Sequence, residues 1–230
     1  MSSIAIIPAR GGSKRIPRKN IKSFLGEPII TYSIKAALMS GLFDEVMVST
    51  DDEEIAQVAR DSGATVPFLR SAAASDDFAS TAQVLEEVLT SYKNQGRTFD
   101  QGCCIYPTAP FVTAQLLDLA HARLSEGDFD TVFPVLRYSY PIWRSLKVEE
   151  GKALMNWPEH LQSRSQDLPH AFHDAGQFYW FRVESFLKKR VLFTDNSGVV
   201  ELSELEAQDI DSETDWKLAE LKYKLLYNLD

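Results

Sequence analysis

The feature that most restricts the fold is an alternation. Short apolar runs at residues 4–7, 45–49, 65–69, 102–106 and 131–136 take turns with segments of helical period. β-branched runs this short read as buried strands. Between them, Ile30, Ile34, Ala37 and Leu38 recur at helical spacing, and Gly41 is placed to stop that helix. Thr50-Asp51-Asp52-Glu53 fits a capping box for a helix to about Ser62. Thr81 is placed to cap a helix carrying Val84, Leu85, Val88, Leu89 and Tyr92, and Thr113 one carrying Leu116, Leu117, Ala120 and Leu124. Repeated strand and helix predict an α/β fold, a mostly parallel sheet with helices on both faces. Ligands of such sheets gather at the carboxyl ends of the strands. The loop at Arg10, the Thr50-Asp51 turn, the loop at 70–77 and the Pro107-Thr108 turn all follow strands, so they are expected to share one crevice.

The first of these loops is chemically distinct. Pro8 ends the opening strand, since it has no ladder donor. Arg10, Gly11, Gly12, Ser13, Lys14, Arg15, Arg18, Lys19 and Asn20 follow almost at once. The chain carries a formal charge of -9, yet five cations crowd this stretch. Gly11 and Gly12 permit positive φ, which would let successive N–H groups line one concavity. Cations around such a nest suit a polyphosphate. The alternative is an ordinary glycine turn. The spacing fits neither the P-loop pattern nor the dinucleotide fingerprint. The acidic balance, and the lack of aromatics in the loop, argue against a nucleic-acid surface.

The alternation breaks over about residues 138–172, which hold Pro141, Pro158, Pro169, Trp143 and Trp157 without helical period. Composition leaves a subunit interface and a packed flap equally open. Regular order resumes with a strand at 176–181, a helix at 183–189, an extended run at 199–202 and a closing helix at 213–227, which is expected to bury Trp216, Leu218, Leu221 and Leu225. The 230 residues, 44% hydrophobic, suffice for one domain over 1–230 with an inserted arm. No charged-then-apolar leader and no apolar stretch near 18 residues is present, so a cytoplasmic protein without membrane contact is expected. Adjacent Cys103 and Cys104 in an apolar run read as buried, reduced core residues.

Asp209-Ile210-Asp211 is the second chemical feature. In extended backbone, residues two apart face one way, so both carboxylates would converge while Ile210 packs behind. Such a pair repels unless a cation or proton intervenes, and Mg²⁺ with substrate phosphates is a natural resolution. The rival reading makes Asp211 or Ser212 the cap of the closing helix.

The run Pro8-Ala9-Arg10-Gly11-Gly12-Ser13-Lys14-Arg15-Ile16-Pro17-Arg18-Lys19-Asn20 resembles the signature of the sugar-activating cytidylyltransferases, which join nonulosonic acids to CMP. The block Pro158-Glu159-His160, Arg164 to Leu168 and His173 to Trp180 resembles the branch that uses pseudaminic acid. The resemblance implies a three-layer, Rossmann-like α/β fold with a small dimerisation excursion, a homodimer, and Mg²⁺-dependent transfer from CTP to an acidic nine-carbon sugar. It implies that Arg10, Gly11, Gly12, Ser13, Lys14 and Lys19 hold the triphosphate, with Arg10, Lys19 and Asp211 acting in catalysis. Asn20, Arg70 and Ser80 would approach the cytosine, and Asp209 and Asp211 the metal. On the sugar side it implies Tyr106, Arg144, Arg164 and His173, with Gln177 and Phe178 as either pocket or plain strand residues. Tyr106-Pro107-Thr108-Ala109-Pro110 and His173-Asp174-Ala175-Gly176 depart from the sialic-acid branch, so pseudaminate is the expected acceptor. N-acetylneuraminate or legionaminate are the rivals within the class, and a non-catalytic nucleotide-binding protein the rival outside it. The proton of the attacking hydroxyl is expected to pass to a metal-bound hydroxide, or to Asp211.

Overall fold

The computed structural model describes residues 1–71, 74, 75 and 79–229. Strand β1 (Ser3–Pro8) is buried up to Pro8. Its side chains alternate between two cores, as the pleat requires. Ala5 and Ile7 enter one, Ile4 and Ile6 the other. A two-residue hairpin, β2 (Ser23–Phe24) and β3 (Glu27–Pro28), precedes helix α1 (Ile30–Ser40). Next come β4 (Glu45–Ser49), α2 (Glu53–Asp61), α3 (Thr81–Asn94), β5 (Gln101–Ile105), α4 (Ala114–Glu126) and β6 (Thr131–Arg137). The arm contributes the hairpin β7 (Leu146–Glu149) and β8 (Lys152–Met155). The chain then returns through β9 (Phe172–Asp174), β10 (Phe178–Arg182), α5 (Val183–Lys189), β11 (Ser197–Leu202) and α6 (Glu213–Tyr227).

The main sheet runs β11-β6-β10-β5-β1-β4, with β9 paired to β6. β4, β1 and β5 are mutually parallel, as are β6 and β11. β10 sits between β5 and β6 and is antiparallel to both. The sheet is therefore mostly parallel, as expected, with β10 reversed inside it and the short β9 antiparallel to the end of β6. That reversal follows the arm, and no side-chain pattern encodes it. Helices α1, α2 and α4 cover one face through Ile30, Ile34, Ile55, Leu117 and Ala120. Helices α3 and α5 cover the other through Leu85, Val88, Tyr92 and Phe186. Cys103 and Cys104 point to opposite faces, both wholly buried and unbridged, and burial pushes both thiols up.

A third cluster joins Ile16, Phe24, Ile29, Phe111, Ile210, Trp216 and Ala219. It lies outside the two sheet cores and binds the N-terminal loop to the start of α6.

Several local expectations are corrected. Residues 65–69 form no strand; only Thr65 bridges to Met47. Asp52, not Thr50, caps α2, its Oδ1 accepting from Ile55 N at 3.0 Å. Ser80, not Thr81, caps α3 in a capping box with Gln83. On α6, Trp216 and Ala219 are buried, while Leu218, Leu221 and Leu225 face outward. The expected loop at 70–77 lies partly outside the described residues. No described helix is long and apolar enough to cross a membrane.

Candidate active site

A cavity of about 560 Å³ opens at the carboxyl ends of β1 and β5, lined by Pro8, Arg10, Ser13, Lys14, Arg15, Lys19, Asn20, Tyr106, Pro107, Thr108, Gly176 and Asp209. Its size suits one small-molecule site. Four of its walls are thus cations of a single loop, and they face a carboxylate 190 residues later in the chain (209 minus 19).

The third hydrophobic cluster explains that meeting. Ile16 from the loop and Ile210 between the two aspartates are both fully buried in it. With Ile210 turned inward, its neighbours turn outward to the loop. Lys19 Nζ donates to the carbonyl of Ile210 at 2.7 Å and lies 3.7 Å from Asp211 Oδ1. Arg15 Nη2 donates to the same Asp211 oxygen at 2.6 Å. The rival cap reading is resolved by Ser212, whose hydroxyl caps α6 in a box with Asp215. Asp211 is therefore not the helix cap.

Burial pushes the Asp209 carboxyl upward, and the charge of Asp211 adds to that. Burial also pulls the Lys19 ammonium down, against the pull of Asp211 and Asp209. Two neighbouring carboxylates that repel each other are a donor pair that a small hard cation would relieve. Two oxygens alone make an incomplete shell, and no group of three or more His, Cys, Asp or Glu among the described residues could hold a metal. The residues present fit an ion whose remaining ligands come from phosphate oxygens and water.

The loop is not the glycine nest that its sequence suggests. Neither Gly11 nor Gly12 has positive φ; in this loop Arg18 does, at 55°. Gly11 N donates to Asp51 Oδ1 at 2.9 Å, and a Cβ on Gly11 would stand 2.8 Å from Asp52 Oδ2. Gly11 is needed for close approach of the α2 cap, while a Cβ on Gly12 meets nothing within 4 Å. Arg18 grips Asp52 with two nitrogens, at 2.5 and 2.9 Å, and Glu54 at 2.5 Å, tying the loop to α2. Asn20 donates to the Arg10 carbonyl at 2.9 Å, which folds the loop back on itself.

The other expected contacts divide. Tyr106 lines the cavity, and its hydroxyl is 3.3 Å from Thr81 Oγ1. Arg70 is buried against Ser49, Nε to Oγ at 3.1 Å, and does not line the cavity; burial pulls its guanidinium down. Ser80 is occupied in the cap of α3. Gln177 is buried and donates to the Glu206 carbonyl at 2.6 Å, and Phe178 is wholly inside the core. Neither lines the cavity: Phe178 packs into the first sheet core, and Gln177 is turned to the Glu206 carbonyl. Arg144 and Arg164 lie on the arm, Arg164 paired to Asp167 at 2.7 Å, and His173 packs on Tyr138; all three stand away from the cavity wall. Arg15, one of the five loop cations, and Thr108, in a turn expected to share the crevice, line the cavity, though neither was given a site role of its own. Gly176, in the block that departs from the sialic-acid branch, lines it as well, and the reversed strand brings it there.

Comparison with known proteins agrees with this fold. Residues 4–224 match the family model described as cytidylyltransferase. The chain is 42% identical over 226 residues to a pseudaminic acid cytidylyltransferase of Campylobacter jejuni subsp. jejuni serotype O:2, covering 98% of this chain and 97% of that one. It is 30% identical over 223 residues to a CMP-N,N'-diacetyllegionaminic acid synthase of Legionella pneumophila, covering 96% of this chain and 95% of that one. A CMP:2-keto-3-deoxy-manno-octonic acid synthetase complexed with CTP shares the fold, with TM-score 0.71 at 17% identity and full coverage of both chains. A cation-lined cavity at the end of the first strand, in a mostly parallel α/β sheet whose sequence fits one family model almost end to end, makes this chain a member of the cytidylyltransferase family.

Proposed function

We propose that this enzyme activates pseudaminic acid with CTP, releasing pyrophosphate and CMP-pseudaminate. The observation that carries the reading is that the loop cations and Asp209 line one cavity, while Asp211, outside the lining, pairs with Arg15 and Lys19 of that same loop. Arg10, Ser13, Lys14 and Lys19 would hold the triphosphate, Arg10 and Lys19 neutralising charge as pyrophosphate leaves. Lys19 is anchored by the Ile210 carbonyl, so its ammonium is aimed before substrate arrives. Asp209 and Asp211 would hold Mg²⁺, which when bound supplies charge neutralisation and polarisation at phosphorus. Tyr106, Thr108 and Gly176 would form the wall nearest the acceptor. The arm exposes Leu146, Val148, Leu154 and Tyr140, which supports a homodimer formed through it. The similarity to the pseudaminic acid enzyme favours that sugar over the alternatives.

The test is pyrophosphate release from CTP with pseudaminic, N-acetylneuraminic and legionaminic acid offered side by side. Pseudaminate is expected to be turned over fastest. Asp211→Asn is expected to be slower by about a hundredfold or more, as for loss of a main electrostatic contributor, and to need more Mg²⁺. Equal use of the three sugars removes the substrate assignment. A normal rate and metal dependence in Asp211→Asn removes the metal site.

A further inference from the structure

Asp174 is the last residue of β9, and both of its carboxylate oxygens are engaged. Oδ1 accepts from Gly176 N at 2.8 Å, and Oδ2 accepts from the Tyr179 hydroxyl. Gly176 is part of the cavity wall and has a φ of 63°. Tyr179 is 8% exposed, and its ring meets the ring of Tyr106 edge-on at 5.7 Å. Tyr106 is also part of the wall, and its N–H donates to the Gln177 carbonyl at 2.8 Å. One carboxylate outside the cavity thus holds two residues inside it. It holds Gly176 directly and Tyr106 through Tyr179.

The chemistry of the contacts gives them direction. A phenol has one proton, and that of Tyr179 goes to Asp174. The hydroxyl is donating to an ion, which makes the bond stronger than one between neutral partners. Tyr179 is therefore fixed in one rotamer, wedged between Asp174, Tyr106 and the Phe133 ring at 5.5 Å. The Tyr106 ring leans on that wedge, and its hydroxyl faces Thr81 at the head of α3. The positive φ of Gly176 brings the turn close to the cavity, and the Asp174 acceptor fixes that turn. Lys19, on the triphosphate side, turns the other way, to the Ile210 carbonyl and Asp211.

We propose that Asp174 is a positioning residue for the acceptor sugar: it acts through Tyr179 and Gly176 to set the cavity wall at Tyr106, and so decides which acidic sugar is accepted without affecting CTP. The inference rests on the proposed function. It adds a residue that itself stands outside the cavity, and its failure is separable from failure of that function.

The experiment measures KM for CTP, KM for sugar and kcat in the wild type, Asp174→Ala, Asp174→Asn, Tyr179→Phe and the double variant Asp174→Ala/Tyr179→Phe, with thermal melting of each. Pseudaminic and N-acetylneuraminic acid are the two probes. Asp174→Ala is expected to raise the sugar KM about tenfold, as for loss of a charge-assisted hydrogen bond, with the CTP KM within about twofold of wild type and the preference between the sugars narrowed. Asp174→Asn keeps an oxygen for Gly176 N but turns its amide toward Tyr179, so partial rescue is expected. Tyr179→Phe is expected to resemble Asp174→Ala, and the double variant to be no worse than the poorer single one, because the two act along one path. A sugar KM unchanged in Asp174→Ala overturns the inference. So do effects of the two single variants that multiply in the double, or a loss of CTP affinity, kcat and melting temperature together, which marks a purely structural role. If the wild type releases pyrophosphate with neither sugar, the proposed function itself has failed; turnover with unmoved sugar KM values refutes the role of Asp174 alone.

Discussion

Asp52 joins the fold to the candidate site. It caps α2 through the Ile55 amide, and its two oxygens take the two Arg18 nitrogens. The Arg18 guanidinium, first, and the Ile55 amide hold its carboxyl down at about 2, against burial that pushes it up. Asparagine caps a helix as well as aspartate does, so Asp52→Asn removes the ion pair and keeps the cap. Full linkage from 3.8 to about 2 would set a ceiling of about 2.4 kcal/mol. The side chains of Arg18 and Asp52 are 38% and 23% exposed, so solvent screens the pair. Screening lowers the expected loss to about 1 kcal/mol. Asp52→Ala also loses the cap and should cost about 2 kcal/mol in all. The assay is urea unfolding at a series of pH values. A carboxyl depressed by folding contributes stability that is complete above its unfolded pKa and disappears as pH falls through the folded one. The gap between wild type and Asp52→Asn should therefore be constant down to about pH 4 and close toward about pH 2. A gap independent of pH over that range would show that Arg18 and Asp52 do not stabilise each other as described, and equal costs for Asn and Ala would show that the cap contributes nothing.

Gly11→Ala places a methyl 2.8 Å from Asp52 Oδ2 and should displace the loop, raising the KM for CTP about tenfold or more, since a small misplacement of binding groups is costly. Gly12→Ala has open space and should stay within about twofold in the same assay. Ile210→Ala opens a cavity in the cluster that joins the loop to the aspartates, and should destabilise by about 2–4 kcal/mol in urea. Its remaining folded fraction should bind CTP more weakly by calorimetry, and unaltered CTP affinity would contradict a packing-driven meeting of loop and aspartates.

Much was legible without coordinates. The apolar runs around Ile4–Ile7 and Cys103-Cys104 are strands because both faces of them are buried, and β-branched or small apolar side chains serve both. The cations from Arg10 to Lys19 stand out because an acidic chain does not otherwise gather them, and four of them line one cavity. The Asp209-Ile210-Asp211 spacing carries its own geometry, and Ile210 is buried as that spacing implies. Each of these signals is local, and local sequence determines period, turn chemistry and charge.

What the tertiary structure alone decided lies where distant segments compete for one contact. Gly11 makes room for Asp52, some 40 residues on, and no local rule predicts that partner. The reversed β10 between two parallel neighbours carried Phe178 into the core and Gly176 into the cavity. Arg70 turned from a loop cation into a buried prop for Ser49, donating to its hydroxyl and its carbonyl across 21 residues of chain. Strand order and direction are set by which hydrophobic faces can all be covered at once. That is a property of the assembled layers, and it has no counterpart in any single stretch of chain.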